Sequence, residues 1–214
     1  MLKSYHVIVL DFDGVIVESV EIKDRAFEIL FQGFPTHLGA IMQYHRSHNA
    51  TIRYEKFKFI YEDILGQPYT EAVANRLSND FSRIVFDQIV RCPLVRGAED
   101  FLDSFYRTVF LYLVSINPKE ELQAILRTRQ LNGFFTDVYA YPWRKVDALR
   151  DILCKNDLTA SQAVFIGDSP EDYQAAQMAG IDFIARYSNK SWEGFPVSVY
   201  SDLMGVKEHL CRIT

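Results

Sequence analysis

The sequence predicts an α/β protein with a parallel sheet, helices on both faces of that sheet, and a helical insertion after the first strand. Residues 5–10 form an apolar run typical of a buried strand. The stretch 19–92 lacks strand patterns and has helical spacing instead. From residue 98 onward helices and strands alternate, which favours parallel strands joined by right-handed crossovers.

The insertion is predicted as four helices separated by glycine, proline and asparagine. Their approximate bounds are 21–32, 36–47, 51–65 and 69–91. In the third helix, Ile52, Phe59 and Ile60 are assigned to an apolar face, with Glu55 and Lys56 on the opposite, solvated face. The predicted domains are an α/β core of residues 1–17 and 95–214 and a helical domain of residues 18–94. Two connections between them would form a hinge.

The second half of the chain supplies the other elements of the core. Helices are predicted at 98–106, 118–129, 145–155, 170–179 and 201–210. Strands are predicted at 109–114, 138–140, 163–166 and 182–185. Ser201 is expected to cap the last helix.

Composition narrows the class of protein. The chain has 214 residues, of which 49% are hydrophobic and 24% charged, so disordered and fibrous classes are excluded. A formal net charge of −5 disfavours nucleic-acid and membrane-surface partners. The three cysteines are far apart and predict a reducing compartment. The N-terminal apolar run is short and interrupted by Asp11, so we expect a cytoplasmic protein. Because the net charge disfavours nucleic acid and membrane surfaces, we expect the partner to be a small molecule.

Carboxylates follow two of the predicted strands directly. Asp11 and Asp13 come after the first strand, and Gly14 allows a sharp turn behind them. Asp168 follows the strand at 163–166. Ligands of open α/β sheets bind at the carboxyl ends of the strands, where these oxygen ligands would suit Mg²⁺.

Asp172 belongs to a helix start after Asp168. Ser169 is predicted as the N-cap, Pro170 as the first helical residue and Asp172 as the third. An acid is favoured electrostatically at that position in any protein, so a purely structural role for Asp172 stays open.

A hydroxyl and a cation are candidates for binding an anion. Ser115 is predicted in a strand-to-helix turn, with Asn117 as the N-cap, and the free amides of such a turn favour phosphate. Ser115 could equally serve its own backbone. Lys145, with Arg144 as the alternative, is placed to reach back from a loop and neutralise a carboxylate and a phosphate, although a surface lysine is the simpler interpretation.

Together these segments resemble the haloacid dehalogenase-like phosphohydrolase superfamily. The insertion after the first motif is similar to that of the phosphoglycolate-phosphatase-like subgroup, which has a small α-helical cap. The resemblance implies a Rossmann-like three-layer core with an inserted four-helix cap. The matching motifs, in chain order, are residues 11–16, Ser115, Lys145 and residues 167–172.

The resemblance implies a Mg²⁺-dependent phosphatase of a small phosphorylated metabolite. Asp11 would attack phosphorus and form an aspartyl-phosphate, and Asp13 would act as acid and base. Ser115 and Lys145 would stabilise the transferring group. The implied metal ligands are Asp11, Asp13, Asp168 and Asp172, and the implied substrate contacts in the core are Gly14, Ile116 and Asn117.

Four residues of the insertion are candidates for binding the rest of the substrate. Lys23 is placed at the entrance of the cap, and Arg46, His48 and Arg53 belong to residues 44–53, a stretch rich in cations and amides. If they face the site, the arginines could bind a second anionic group in a bidentate manner. The simpler interpretation is a solvated turn.

Other functions stay open at this level. The presence of Asp13 disfavours a true dehalogenase, which lacks this acid and needs no metal. A sugar phosphomutase of the same superfamily is possible, although Lys23 replaces the histidine expected at its cap entry. A phosphoaspartyl signalling or binding protein is the alternative from another class. We expect a monomer or a weak homodimer.

Overall fold

The computed structural model describes residues 5–48, 51–188 and 190–213. The chain divides into two compact units, and each is described by itself. The α/β unit comprises Met1–Glu18 with Pro93–Thr214, and the helical unit comprises Ser19–Cys92.

The α/β unit is built on a six-stranded sheet with the order β3-β2-β1-β4-β5-β6. All neighbouring strands are parallel. The strands are β1 (Val7–Leu10), β2 (Phe110–Pro118), β3 (Asp137–Tyr141), β4 (Ala163–Gly167), β5 (Asp182–Arg186) and β6 (Ser198–Tyr200). Because β1 lies between β2 and β4, its carboxyl end is the point where the strand order changes direction. This is the position where doubly wound sheets bind ligands.

Helices connect these strands and cover the sheet. Those of the α/β unit are α5 (Ala98–Phe105), α6 (Lys119–Thr128), α7 (Lys145–Lys155), α8 (Pro170–Ala179) and α9 (Leu203–Ile213). In the described part of the chain, none of the helices is both long enough and apolar enough to cross a membrane. The predicted fold class, a three-layer α/β sheet protein, is confirmed.

The sheet is buried on both faces. Val7 and Val9 pack in one cluster with Leu149 of α7 and Ala176 of α8. Side chains alternate between faces along a strand, so the equally buried Ile8 and Leu10 point to the opposite side. Burial on both faces explains why β1 is a continuous apolar run rather than an alternating one.

The helical unit packs around aromatic rings. Its elements are α1 (Val20–Phe31), α2 (Leu38–Ser47), α3 (Arg53–Phe59), a π-helical segment (Ile60–Ile64) and α4 (Glu71–Arg91). Phe27 lies 5.5 Å from Phe57 and 5.1 Å from Phe81, measured between ring centroids. Such aromatic pairs contribute beyond the area they bury.

The predicted faces of the third helix were wrong at two positions, Lys56 and Phe59, whereas Ile60 is buried and Glu55 exposed as predicted. Lys56 is only 3% exposed and Arg53 only 8%, whereas Phe59 is 38% exposed. The Lys56 ammonium is buried because it lies 3.3 Å from Nδ1 of His45 and 5.5 Å from the Phe27 ring. A charged side chain is retained in this core by a polar partner and a ring face, which periodicity does not reveal.

The end of the chain also differs from prediction. β6 is a three-residue edge strand with two exposed positions, too short to produce a pattern. The last helix begins at Leu203 rather than at residue 201, and Oδ1 of Asp202 accepts the Gly205 N–H at 3.0 Å. The predicted cap Ser201 therefore lies outside the helix.

Candidate active site

Asp11 lies directly behind β1 and is 6% exposed. Its backbone N–H donates to the Ile166 carbonyl at 3.0 Å, which continues the pairing of β1 with β4 beyond the last strand residue. One carboxylate oxygen, Oδ1, accepts the Phe12 N–H at 2.7 Å. The sheet thus holds a carboxylate in a fixed direction at its carboxyl edge.

Lys145 provides the positive charge beside this carboxylate. Its Nζ lies 2.8 Å from Oδ2 of Asp11 and 2.5 Å from Oδ1 of Asp172, and the lysine side chain is 9% exposed. Arg144, the alternative cation, has a side chain that is 76% exposed and pairs with Asp147 at 2.6 Å. Of the two candidates, only Lys145 contacts Asp11.

Asp172 closes the turn between β4 and α8. Ser169 caps α8, Pro170 opens it and Asp172 is the third helical residue, as predicted. Asp172 also forms a reciprocal capping box with Ser169. Oδ2 of Asp172 accepts the N–H groups of Asp168 and Ser169, each at 3.2 Å. Because Oδ2 is committed to this turn, Oδ1 is held toward Lys145.

Gly167 is required by the close approach of Asp172. A Cβ atom at residue 167 would lie 2.5 Å from Cβ of Asp172 and 2.8 Å from its Cγ. We expect Gly167→Ala to lower the free energy of unfolding by about 1–3 kcal/mol. To make room for the methyl group, either the backbone of β4 or the Asp172 side chain would have to move, and the capping box holds Asp172 in place. Urea unfolding measures the change. Gly133→Ala, where nothing lies within 4 Å, is the control. Equal stability of the two variants would contradict the requirement.

Three buried carboxylates converge at this edge of the sheet. Among the described residues, one oxygen from each of Asp11, Asp168 and Asp172 lies within 4.8 Å of the others. Hard carboxylate oxygens in such a cluster are the donor set that Mg²⁺ prefers. The residues present therefore fit a divalent cation.

The loop after β5 contributes two residues that the sequence did not indicate. The Ser188 hydroxyl donates to Oδ2 of Asp168, and Nζ of Lys190 lies 4.0 Å from Oδ1 of the same carboxylate. Ser188 is buried. Neither residue stands at a strand end or in a recognisable motif, so only the path of this loop brings them to Asp168.

Asp13 lies two residues beyond Asp11 and is half-buried. The Asn117 side-chain amide donates to Oδ2 of Asp13 at 2.8 Å. Asn117 was predicted to cap a helix, and this was wrong: the residue before α6 is Pro118, with no side-chain capping bond. β2 continues through Pro118, so Asn117 lies within this strand, beside the end of β1 that Asp13 follows.

Ser115 lies inside β2 and not in a turn, which corrects the prediction. It is 2% exposed, and its Oγ accepts the Asn117 N–H at 3.2 Å. That amide is therefore not free for an anion, whereas the serine O–H remains a possible donor. Ile116 is half-buried between them. The Gly14 N–H donates to the Val17 carbonyl at 2.9 Å and so belongs to the turn after Asp13.

The electrostatics of the cluster follow from burial. Burial raises the pKa of Asp11 to about 7, Lys145 opposes the increase, and the neighbouring acids add to it. Burial also raises the pKa of Asp168, against the effect of Lys190. Burial alone would lower the pKa of Lys145, but Asp11 and Asp172 together raise it, so the ammonium stays charged. The metal-free cluster therefore favours binding a proton.

This pKa predicts how stability depends on pH without metal. A carboxyl whose pKa rises from 3.8 to about 7 on folding stabilises the protein below pH 3.8 and loses that contribution as pH rises through 7. Metal-free Asp11→Asn should therefore gain stability relative to wild type over this range. Urea unfolding in EDTA at several pH values measures it. Asp87→Asn, at an exposed position of α4, is the control. A difference that does not change with pH would contradict the prediction.

The candidate residues of the insertion lie in the helical unit. Arg46 is exposed and its Nε donates to Asp24 at 3.1 Å. Nδ1 of His48 lies 2.9 Å from the Tyr44 carbonyl. Arg53 is buried and donates to Ser82 at 2.8 Å, so its guanidinium is used in packing.

Lys23 lies in α1 of the same unit. Asn49 and Ala50, in the cationic stretch, fall outside the described residues.

Fold and site together define an α/β protein with a cluster of buried acids at the switch point of its sheet. A family model described as haloacid dehalogenase-like hydrolase matches residues 8–186. The chain belongs to this family.

Individual relatives agree with this assignment. The chain is 26% identical to a phosphoglycolate phosphatase of Aliivibrio fischeri over 191 residues, covering 84% of this chain and 83% of the relative. It is similar to the HAD-hydrolase YfnB of Bacillus subtilis, solved bound to magnesium, with a TM-score of 0.72, 19% identity and coverage of 97% and 99% of the two chains. CbbY of Rhodobacter sphaeroides, solved with phosphate, has a TM-score of 0.74, 19% identity and coverage of 92% and 94%. The chain is a hydrolase similar to phosphoglycolate phosphatases.

Proposed function

We propose that this chain is a Mg²⁺-dependent phosphatase that hydrolyses a small phosphorylated metabolite through an aspartyl-phosphate on Asp11. The observation that carries the proposal is the buried Asp11 carboxylate, held by the Phe12 amide and Lys145 and adjoined by Asp168 and Asp172. A nucleophilic carboxylate needs positive charge around it before it can approach an anionic phosphate. Lys145 provides one such charge.

Mg²⁺ would be held by Asp11, the Asp13 backbone carbonyl and Asp168, with Asp172 orienting its waters. When bound, it supplies charge that keeps the Asp11 carboxylate ionised and offsets the charge of the transferring phosphoryl group. The relative YfnB, solved bound to magnesium, supports this choice of metal.

In the first step an Asp11 oxygen bonds to phosphorus as the bond from phosphorus to the leaving oxygen breaks. The protonated Asp13 carboxyl donates its proton to that leaving oxygen. In the second step water attacks phosphorus, its proton passes to the Asp13 carboxylate, and the Asp11–phosphorus bond breaks. The Asn117 amide, bonded to Oδ2, orients Asp13 through both steps. The Ser115 hydroxyl and Lys145 stabilise the phosphoryl oxygens.

For the remainder of the substrate, we propose that residues 18–94 act as a cap. Arg46 is exposed within the helical unit, which supports a role in binding a second anionic group such as a carboxylate. Lys23 and His48 are further candidates in this unit. Phosphoglycolate, the substrate in the name of the Aliivibrio fischeri relative, carries both a phosphate and a carboxylate.

Hydrolysis should be abolished by removal of the metal. We expect phosphate release from p-nitrophenyl phosphate and from one or more members of a panel of 2-phosphoglycolate, sugar phosphates and nucleotides in Mg²⁺. EDTA should reduce the rate to background, because Lys145 alone does not balance three carboxylates, and excess Mg²⁺ should restore it. Released phosphate measures the reaction. A purified, folded protein with no turnover of any compound would contradict the proposal, and a stable acyl phosphate without turnover would favour a signalling role.

A further inference from the structure

Arg186 is a buried arginine outside the set of residues that the proposed mechanism uses. It is the last residue of β5 and is 7% exposed. Its NH1 donates to the Gly14 carbonyl at 3.1 Å and its Nε donates to the Ser201 carbonyl at 3.2 Å. A guanidinium is buried at acceptable cost only where its donors are satisfied, so these partners explain how the site tolerates it.

The strongest partner of Arg186 is Glu18. NH1 lies 3.0 Å from Oε2 of Glu18 and NH2 lies 2.5 Å from Oε1, a bidentate pair of two parallel hydrogen bonds. This geometry fixes direction as well as distance, which a lysine would not do. Although Glu18 is 41% exposed, Arg186 anchors it from the interior.

Two of the three partners of Arg186, Gly14 and Glu18, lie at either end of one short segment. Gly14 directly follows Asp13, and Glu18 ends the segment that leaves the sheet after Asp11. Between them the backbone turns back, with the Gly14 N–H on the Val17 carbonyl and Asp13 paired to Val17. Arg186 therefore ties the turn that carries Asp13 to β5, two strands away from β1.

We propose that Arg186 and Glu18 together position Asp13 for its role as acid and base. This inference rests on the proposed phosphatase function. Asn117 holds the Asp13 carboxylate by its Oδ2 atom, and Arg186 holds the backbone beside it. Loss of Arg186 leaves the hydrogen bonds within the turn and the backbone bonds of Ile16 and Glu18 to residues 93–95, but removes the side-chain tie to β5. A displacement of about 1 Å in a catalytic group can cost on the order of a hundredfold in rate.

The experiment compares two phosphate esters that differ in their need for an acid. Ethyl phosphate has a basic leaving oxygen that must be protonated, whereas 2,4-dinitrophenyl phosphate has a leaving group that departs as an anion. For Arg186→Met we expect kcat/KM on ethyl phosphate to fall about 10- to 100-fold, and kcat/KM on the dinitrophenyl ester to fall less than about threefold. The ratio kcat/KM reports only the first displacement, so it leaves out the attack of water, in which Asp13 acts as base for both esters. A loss of fold stability alone would lower both rates equally.

Further variants separate the pair from general effects of charge removal. Glu18→Gln changes a partly exposed residue, so this variant should fold. It should show the same selective loss of activity on ethyl phosphate, but a smaller one. Arg186→Lys keeps the charge without the bidentate geometry and should restore kcat/KM on ethyl phosphate only in part. Arg212→Met and Glu208→Gln, an exposed pair of α9 at 3.2 Å, are the controls and should leave both rates unchanged.

The outcomes distinguish the two proposals. If wild type is active and Arg186→Met and Glu18→Gln leave the ratio of the two rates unchanged, the positioning role is overturned while the phosphatase proposal stands. If wild type with Mg²⁺ hydrolyses neither these esters nor the metabolite panel, the phosphatase proposal is overturned, and the catalytic role of the pair with it. A selective loss on ethyl phosphate in both variants supports the pair.

Discussion

Asp11→Asn is expected to lower kcat by at least about a thousandfold, because an amide cannot supply the nucleophile of the first displacement. The substitution is nearly isosteric, and the carbonyl oxygen of the new side chain could still accept the Phe12 N–H. The variant should therefore fold, in agreement with the gain in stability that we predict for it in EDTA. Steady-state phosphate release measures the change in rate.

Chemical trapping gives an independent measurement of the same residue. When turnover of a ³²P-labelled ester is quenched in acid, wild type should retain label that hydroxylamine removes, as expected for an acyl phosphate. Asp11→Asn should retain none, whereas the exposed control Asp87→Asn should behave as wild type. Label of wild-type intensity on Asp11→Asn would show that another residue is the nucleophile.

Lys145→Met is expected to affect both stability and rate. Removal of the ammonium leaves Asp11 and Asp172 buried beside each other without their shared partner. Breaking a buried ion pair on one side costs about 3–5 kcal/mol, and we expect a loss of that order without metal above pH 7. The loss should become smaller as pH falls, because Lys145 opposes the raised pKa of Asp11 and its removal lets that carboxyl bind a proton more easily.

Urea unfolding at several pH values, with and without Mg²⁺, measures this prediction. Added Mg²⁺ should recover part of the lost stability, since a second cation then balances the carboxylates. In Mg²⁺ we expect kcat to fall at least about a hundredfold, the scale of losing one electrostatic stabiliser. Lys155→Met removes an ion pair with Asp151 whose lysine is 52% exposed, and should cost less than about 1 kcal/mol. Equal losses in the two variants would refute the special role of Lys145.

The order and type of most elements followed from the sequence because their signals are local. The helices at residues 145–155 and 170–179 have predicted bounds that the structure reproduces. The turn into α8 has a proline and a capping serine at fixed positions, so its geometry depends on neighbours in the chain. The predicted N-cap at Asn117 failed because strand pairing extended β2 through a segment whose residues alone favour a helix start.

Long-range contacts account for what the sequence missed. No sequence motif marks Arg186, Ser188 or Lys190. They contact the site only because the fold brings the end of β5 and the loop after it close to Gly14 and Asp168. Lys56 is buried because distant polar and aromatic groups surround it. Periodicity assigns such a residue to solvent, since it reports only average polarity.

The sequence by itself determined the class of fold and the edge of the sheet where the acids lie, since apolar strands followed directly by Asp11 and Asp168 leave little choice of position. Only the tertiary structure decided which groups surround each acid. It brought Lys145 rather than Arg144 to Asp11, turned Asn117 toward Asp13, and anchored the turn after Asp13 through Arg186. The physical reason is that hydrogen bonds and ion pairs depend on distances of a few ångströms between residues far apart in the chain, which strand register and helix packing set together.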